Sequence, residues 1–453
     1  PCPYTLVEGI EKLRPGRWLE WRDGRVTSGA YWELRLRPQP HSLGAATEEL
    51  DSLLRESVRE HLVADVPLGI WASGGLDSST ILHYAAEASP SRLKTFSVSF
   101  SGQSCDERGF FRAVAKVYGT EHHEFDLNPG VDLQGAIEAL SYHSDEPGAD
   151  AGALPVWFLS QMSRRHVTVA LSGEGADELF GGYCTYIADR YARHLRRVPA
   201  AWRRLGARLL RRWPVSDEKV SFEYKLKRFL SGSLLSPVEA HFYWSGTFSQ
   251  DEKAALLIRN GWPPLASLLA ALPPEAHEID ELGRFLWLDQ RYYLPDDILY
   301  KCDRMSMAHA LEVRPPFLDH RIVEFAASLP SQMKVRGSRL KHVLKETMRG
   351  KLPAVVLERR KEGFDIPVHQ WLRGPLRPLL LDTLSAGAVR RAGLFRPEAV
   401  ERLLRDHLER RANVGYHLWG LLTLSLWIDR WGIETAPLAE ESRETLAPLA
   451  VTS

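Results

Sequence analysis

The stretch that most restricts how this chain can fold is Leu68 to Ser79, LGIWASGGLDSS. Leu68 to Ala72 is a short apolar run bounded by turn residues, which predicts a buried strand. Ser73-Gly74-Gly75 breaks the run, and Ser78-Ser79-Thr80 opens a helical segment, STILHYAAEA. A strand, a glycine turn and a helix start, in that order, make an anion site. The first N–H groups of a helix have no internal partner, and the helix dipole adds partial positive charge there. Gly74 and Gly75 let the backbone approach a phosphate with no Cβ in the way. Ser78 and Ser79 add hydroxyl donors, and Asp77 adds a carboxylate able to hold Mg2+. The loop lacks the G-x-x-x-x-G-K-[ST] spacing, which argues against a Walker-type kinase or ATPase.

The flanking sequence supplies the sheet this strand needs. Leu93 to Phe100 alternates as a second strand, and Glu107 to Tyr118 reads as a helix stopped by Gly119. Glu121 to Leu127 is a third strand. His122 and His123 sit in it on opposite faces, which prevents chelation by both. A helix from Leu154 to Arg165 and a strand from Val167 to Leu171 lead into a second glycine-rich loop, SGEGADELFGGY, from Ser172 to Tyr183. Strands alternating with helices predict right-handed crossovers and an α/β fold, a parallel sheet with helices on both faces. Ligands of such sheets bind beyond the carboxyl ends of the strands, where both loops lie, so one shared site is expected.

Upstream, Ala45 to Val63 places Leu50, Leu53, Leu54, Val58 and Leu62 on one helical face behind Thr47. Residues 1–40 differ: alternating runs at Arg17 to Trp21 and Arg25 to Trp32, split by Asp23-Gly24, read as a hairpin. One hairpin is marginal in water, so it is expected to end something larger. Beyond Tyr183 the sheet pattern stops and a mainly helical half follows. There a helix opens at Arg339, and Gly350 and Pro353 end it. Residues 436–453 are polar and aperiodic, the pattern of a disordered tail.

Composition removes several function classes. The chain of 453 residues carries 58 Lys and Arg against 58 Asp and Glu, which disfavours a general polyanion binder. Residues 189–230 do hold thirteen Lys and Arg against four acidic residues. Apolar residues recur among them at helical spacing, including Trp202, Leu205 and Leu209, so the arginines read as the solvated face of amphipathic helices, and nucleic acid is not expected as a partner. The four cysteines are scattered with no C-x-x-C pair, which fits a cytoplasmic chain without zinc or disulfides. Cys2, between two prolines, reads as incidental. No apolar run approaches the roughly 20 residues of a membrane helix. Leu418 to Ile428 is a core helix on this reading.

Four segments together resemble one family. SGGLDSS, SGEGADELFGGY, PDDILYKCDRMSMAHALEVRPPFLDHR and RLKHVLKE…RRKEGF follow the order and approximate spacing of the synthetase domain of glutamine-hydrolysing asparagine synthetases, in the ATP pyrophosphatase superfamily. The resemblance implies an adenine nucleotide alpha-hydrolase-like domain over residues 41–435. It implies that residues 1–40 are the end of a glutaminase-type β domain, whose remainder is expected upstream, and that the chain pairs as a homodimer. ATP is implied as substrate with Mg2+, aspartate as the acid, and ammonia from glutamine as the nitrogen source. Ser73, Gly74, Gly75, Ser78 and Ser79 would grip pyrophosphate, with Asp77 and Asp177 on Mg2+. By the same resemblance Ala72 and Val98 flank the adenosine, Ser172 and Gly173 contact it through the backbone, and Lys341 and Lys361 neutralise phosphate. Glu174 would orient ammonia or take its proton. The alternative open at this point is a paralogous amidotransferase or cyclase that adenylates another carboxylate.

Overall fold

A computed structural model of the chain describes residues 1–100, 106–127, 131–210, 213–216, 221–259, 279–359 and 366–435. The strands are β1 (Arg17–Arg22), β2 (Arg25–Ala30), β3 (Leu68–Trp71), β4 (Lys94–Ser99), β5 (Glu121–Asp126), β6 (Val169–Leu171) and β7 (Glu312–Arg314). β1 and β2 form the expected antiparallel hairpin. The other five form a parallel sheet in the order β5-β4-β3-β6-β7. The chain builds from β3 outward through β4 to β5, then returns to the other side of β3 with β6. The order therefore reverses between β3 and β6, and the crevice beyond their carboxyl ends is where such a sheet binds ligands.

Helices α1 (Leu43–His61), α2 (Leu76–Ala88), α3 (Arg108–Tyr118), α4 (Leu133–His143), α5 (Ala153–Arg164) and α6 (Ala176–Phe180) fill the crossovers and loops. Alternation along the strands splits the core into two layers. Ile70 and Leu171 join Leu50, Leu54 and Ile81 on one side, while Trp71, Phe96 and Ala170 join Leu154, Trp157 and Trp419 on the other. Each such Leu or Ile taken from water contributes about 1.5–3 kcal/mol. The helix Gly415–Trp431 buries Leu418, Trp419 and Leu422 in the second layer, which explains its all-round apolarity. Among the described residues no helix is long and apolar enough to cross a membrane.

Four local expectations need revision. α1 starts earlier than Thr47, because Ser42 is the cap: its side chain accepts the Ala45 N–H at 3.2 Å, while Thr47 donates back to Gly44. The sheet does not stop at Tyr183, since β7 adds a fifth strand from the helical half, with Leu171 opposite Arg314. Three residues are too few to show a period of two in sequence. The helix expected from Arg339 begins only at His342, after Lys341 at φ +52°. The helix Ala200–Leu210 buries none of its residues, and Trp202, on its supposed inner face, is 67 % exposed. The proposed disordered tail lies outside the described residues.

Leu171→Ala, at the contact of β6 with the first core layer, should lower the unfolding free energy by roughly 2–5 kcal/mol in urea titrations. Leu205→Ala, whose side chain lies in solvent, should change it by no more than about 0.5 kcal/mol.

Candidate active site

β3 and β6 are neighbours with Ile70 opposite Leu171, so their two loops leave the sheet side by side. The first loop turns through Gly74 at φ +71°, where a Cβ would sit 2.5 Å from the Phe111 amide nitrogen. Only glycine satisfies both the left-handed backbone and that close approach. α2 then starts with Gly75 as its cap and no side-chain cap bond, so no capping side chain occupies its first turn. Ser73 and Ser78 face one another, their hydroxyls 3.0 Å apart. The second loop lies against the first: a Cβ on Gly173 would come 2.9 Å from both the Asp77 Cβ and the Ser78 nitrogen.

This contact brings two carboxylates together, and a lysine joins them. Lys341 Nζ lies 2.6 Å from Asp77 Oδ1 and 2.6 Å from Asp177 Oδ1, with the lysine side chain only 5 % exposed. Gly182 makes room for the group, since a Cβ there would fall 1.8 Å from Asp177 Oδ1 and 2.1 Å from Lys341 Cε. Lys341 holds a left-handed backbone, which costs a non-glycine residue roughly 1–2 kcal/mol. Its ion pairs lie where that cost is offset.

Ala72, Ser73, Gly75, Asp77, Ser78, Val98, Ser172, Gly173, Glu174, Asp177 and Lys341 all border one cleft of about 1680 Å³. Gly74 is packed beneath the turn against Phe110 and Phe111, and Ser79 is buried within α2. The Ser172 N–H donates to the Arg314 carbonyl at 3.0 Å, which ties the second loop to β7 and leaves the Ser172 carbonyl and Gly173 as its backbone contacts for a ligand. Lys361 lies outside the described residues. Glu174 is part-exposed on the cleft wall, and the cap of α6 is its neighbour Gly175, at φ +89°.

Arg359, Lys301, Asp150 and Asp297 also border the cleft, although the sequence reading gave none of them a role. Arg359 donates to the Ser73 carbonyl at 3.4 Å, stacks 4.1 Å over Phe110 and pairs with Glu107. Lys301 pairs with Asp150, and Asp297 lies against both. Burial first, and then Asp150, push the Asp297 carboxyl up to about 7. The density of Asp, Arg and Lys in PDDILYKCDR was a usable signal for Asp297 and Lys301, and Arg359 opens the RRKEGF segment; nothing in the sequence pointed to Asp150. Glu178 is buried behind Asp177 and accepts from the Tyr183 hydroxyl; burial, then Asp177, push its carboxyl up to about 8. Cys2 is buried, and desolvation followed by Asp296 raises its thiol pKa, the reverse of an activated nucleophile.

The family model for asparagine synthase matches residues 49–429. The chain belongs to the asparagine synthase family. It is 29 % identical to asparagine synthetase [glutamine-hydrolyzing] 1 of Bacillus subtilis, over 94 % of this chain and 66 % of that protein. It is 31 % identical to a putative asparagine synthetase [glutamine-hydrolyzing] of Mycobacterium tuberculosis, over 94 % and 65 % respectively. A fungal relative from Gibberella zeae, amidase chry2, is 24 % identical over 95 % of the chain and 70 % of its own length. The chain thus spans just under two thirds of the first two relatives.

The cleft has a donor set suited to a hard cation. Asp77 and Asp177 already converge on one positive charge, the Lys341 ammonium, and serine hydroxyls stand beside them. Among the described residues, no three His, Cys, Asp or Glu side chains group closely enough to hold a metal. Two carboxylates fit Mg2+ shared with phosphate oxygens better than a metal caged by protein.

Lys341→Met should cost roughly 3–5 kcal/mol of unfolding free energy, because it strands two carboxylates together. The same substitution in an Asp77→Asn, Asp177→Asn background should cost clearly less, and urea titration of the four proteins would measure the coupling.

Proposed function

We propose that this chain is an ATP-dependent amide-forming ligase that adenylates the side-chain carboxylate of aspartate and transfers ammonia to it. The observation that carries this reading is the convergence of Asp77, Asp177 and Lys341 from three distant segments at the reversal point of a parallel sheet. Family membership supports the reaction class, and the bacterial relatives, glutamine-hydrolysing asparagine synthetases by name, support aspartate and glutamine as substrates.

On this reading the adenine lies against Ala72 and Val98, at the ends of β3 and β4, where Ser97 donates to the Ala72 carbonyl and fixes the loop's departure. An oxygen of the aspartate β-carboxylate attacks the α-phosphorus of ATP, and the bond to the bridging oxygen of the β-phosphate breaks. Pyrophosphate leaves with that electron pair, giving β-aspartyl-AMP. Ser73, Gly75 and Ser78 grip the departing group with fixed donors. Asp77 and Asp177 would hold Mg2+, which when bound supplies charge neutralisation for the pyrophosphate. Lys341, a compact charge on a flexible stem, then turns from the carboxylates to the phosphates, and Lys361 is assigned the same role.

Ammonia next attacks the acyl carbon, the carbon–oxygen bond to AMP breaks, and the proton shed by nitrogen goes to Glu174 on the cleft wall. A carboxylate is a poor electrophile, which is why the adenylate must come first. The second reading, a paralogue that activates another carboxylate, draws on the fungal relative named as an amidase.

Exchange of labelled pyrophosphate into ATP decides between these readings. Aspartate should promote exchange, and adding ammonia should yield asparagine; exchange with a different acid and none with aspartate would select the second. Asp77→Ala should abolish exchange. Glu174→Ala should keep ATP affinity within about twofold while amide formation falls about 100-fold or more; full asparagine formation by that variant would remove Glu174 from the mechanism.

A further inference from the structure

The helix Ala200–Leu210 carries a stripe of large apolar side chains in solvent. Its inner side meets the helix Phe222–Gly232 and the residue after it: a Cβ on Gly206 would lie 3.8 Å from Leu230 Cδ1, and Arg203 donates to the Ser233 carbonyl. Trp202, Leu205 and Leu209 lie outside that contact and are exposed. Spaced i, i+3 and i+7, they fall within a sector of about 60°. Two further rings extend the apolar surface at the same helix pair. Trp213, whose carbonyl accepts from Lys227 at 2.9 Å, is exposed, and so is Phe222.

The charge around this stripe has one sign. Residues 190–210 contain seven arginines and neither Asp nor Glu. Arg193 and Arg197 are exposed before the helix, and Arg204 and Arg208 are exposed on it, to one side of the stripe. The helix beneath adds Lys225, Lys227 and Arg228, and its one acidic residue, Glu223, is buried and paired with Lys227. An apolar stripe of Trp and Leu rimmed by arginine matches the boundary between lipid headgroups and acyl chains. Apolar groups enter the tails there, while cations meet the headgroup phosphates. A second copy of the chain fits this face poorly, since a two-fold contact would set arginines against arginines. A nucleic acid would meet the arginines, but Leu205 and Leu209 offer no ring on which a base could stack.

We propose that this face is a peripheral membrane-binding surface, which lays the helix Ala200–Leu210 in the headgroup layer of an anionic bilayer. The attachment is reversible, because what enters the bilayer is a few side chains rather than a spanning segment. The helix Cys184–Leu195 runs from the cleft, which Cys184 and Ile187 border, into the arginine run. Its 12 residues span about 18 Å, so a chain bound in this way holds its cleft close to the lipid surface. The inference is independent of which acid the cleft activates.

Flotation of the full chain with vesicles of equal parts phosphatidylglycerol and phosphatidylcholine tests this. Binding should be about 10-fold or more stronger than to phosphatidylcholine alone, and should weaken by a similar factor at roughly 0.5 M NaCl. Arg204→Gln combined with Arg208→Gln should weaken it by about 10- to 30-fold, and Trp202→Ser by about 10-fold. Both variants change exposed side chains, so their urea unfolding should match the wild type and report an intact fold. No binding to the charged vesicles would overturn the proposal, as would equal binding to the neutral ones or binding that both variants leave unchanged. Tighter binding to a single-stranded RNA than to the vesicles, weakened by the same variants, would overturn it and assign the face to nucleic acid. A dimer in solution that dissociates on Trp202→Ser would overturn it in favour of a second copy of the chain.

Discussion

The site depends on a single electrostatic arrangement, the Lys341 ammonium set between Asp77 and Asp177. Two carboxylates brought together in a partly desolvated crevice repel strongly, because the interaction grows as the effective dielectric falls. The two glycine-rich loops therefore cannot lie in contact, as the close approach of Gly173 to Asp77 requires, unless a cation lies between them. Lys341 fills that place from a segment 264 residues away in sequence from Asp77. Its ammonium lies 2.6 Å from an oxygen of each carboxylate. Its left-handed backbone and the absence of a Cβ at Gly182 are the local concessions that let the lysine arrive.

The cleft divides into two ends that share one loop. Asp77, Asp177, Lys341 and Arg359 form an end organised around β3, α2 and the loop after β6. Asp150, Asp297 and Lys301 form the other, carried by the start of α5 and by the π-helical segment Asp289–Leu299 with its continuation. The loop after β6 belongs to both, since Glu174 and Asp177 are three residues apart. The Ser172 N–H to Arg314 bond ties that loop to β7 and holds it to the sheet. A site mounted on strand ends and helix starts keeps its geometry better than one mounted on free loops. The two ends of the cleft are held in register by that mounting.

Much of this was legible in the sequence because it was local. The strand–glycine–helix grammar at Leu68 to Ser79 needs only neighbouring residues, and it located β3, its turn and α2 to within a few positions. The alternation through β4 and β5 and the apolar face of α1 were equally direct. What stayed hidden was long-range. β7 is three residues long, and it is a strand because Leu171 and its neighbours offer an edge to pair with. Lys341 read as a helical lysine, since propensity alone cannot show that two distant carboxylates draw it out of helical backbone. Asp150 had no pattern around it, and its meaning comes from Lys301, 151 residues away. The arginine-rich helix Ala200–Leu210 failed in the opposite sense: helical periodicity was real, but Trp202, Leu205 and Leu209 on its apolar side stay exposed.

The π-helical segment raises a further physical question, namely why a wide, weakly bonded helix containing Pro295 holds its shape. The answer is a buried network at its first residue. Asp289 accepts from Tyr186 at 2.6 Å and from His241, whose other nitrogen lies 2.7 Å from Asp189. Burial opposes charge on His241, but Asp289 and Asp189 on either side overcome it and raise its pKa to about 10. The imidazolium therefore stays charged across the neutral range, and the anchor keeps one ionisation state while Asp297, eight residues along, sits near its own titration. Gln290 adds a second tie, donating to the Glu178 carbonyl at 2.9 Å behind the Asp177 loop. The wall that carries Asp297 and Lys301 is thus pinned to the floor that carries Asp177.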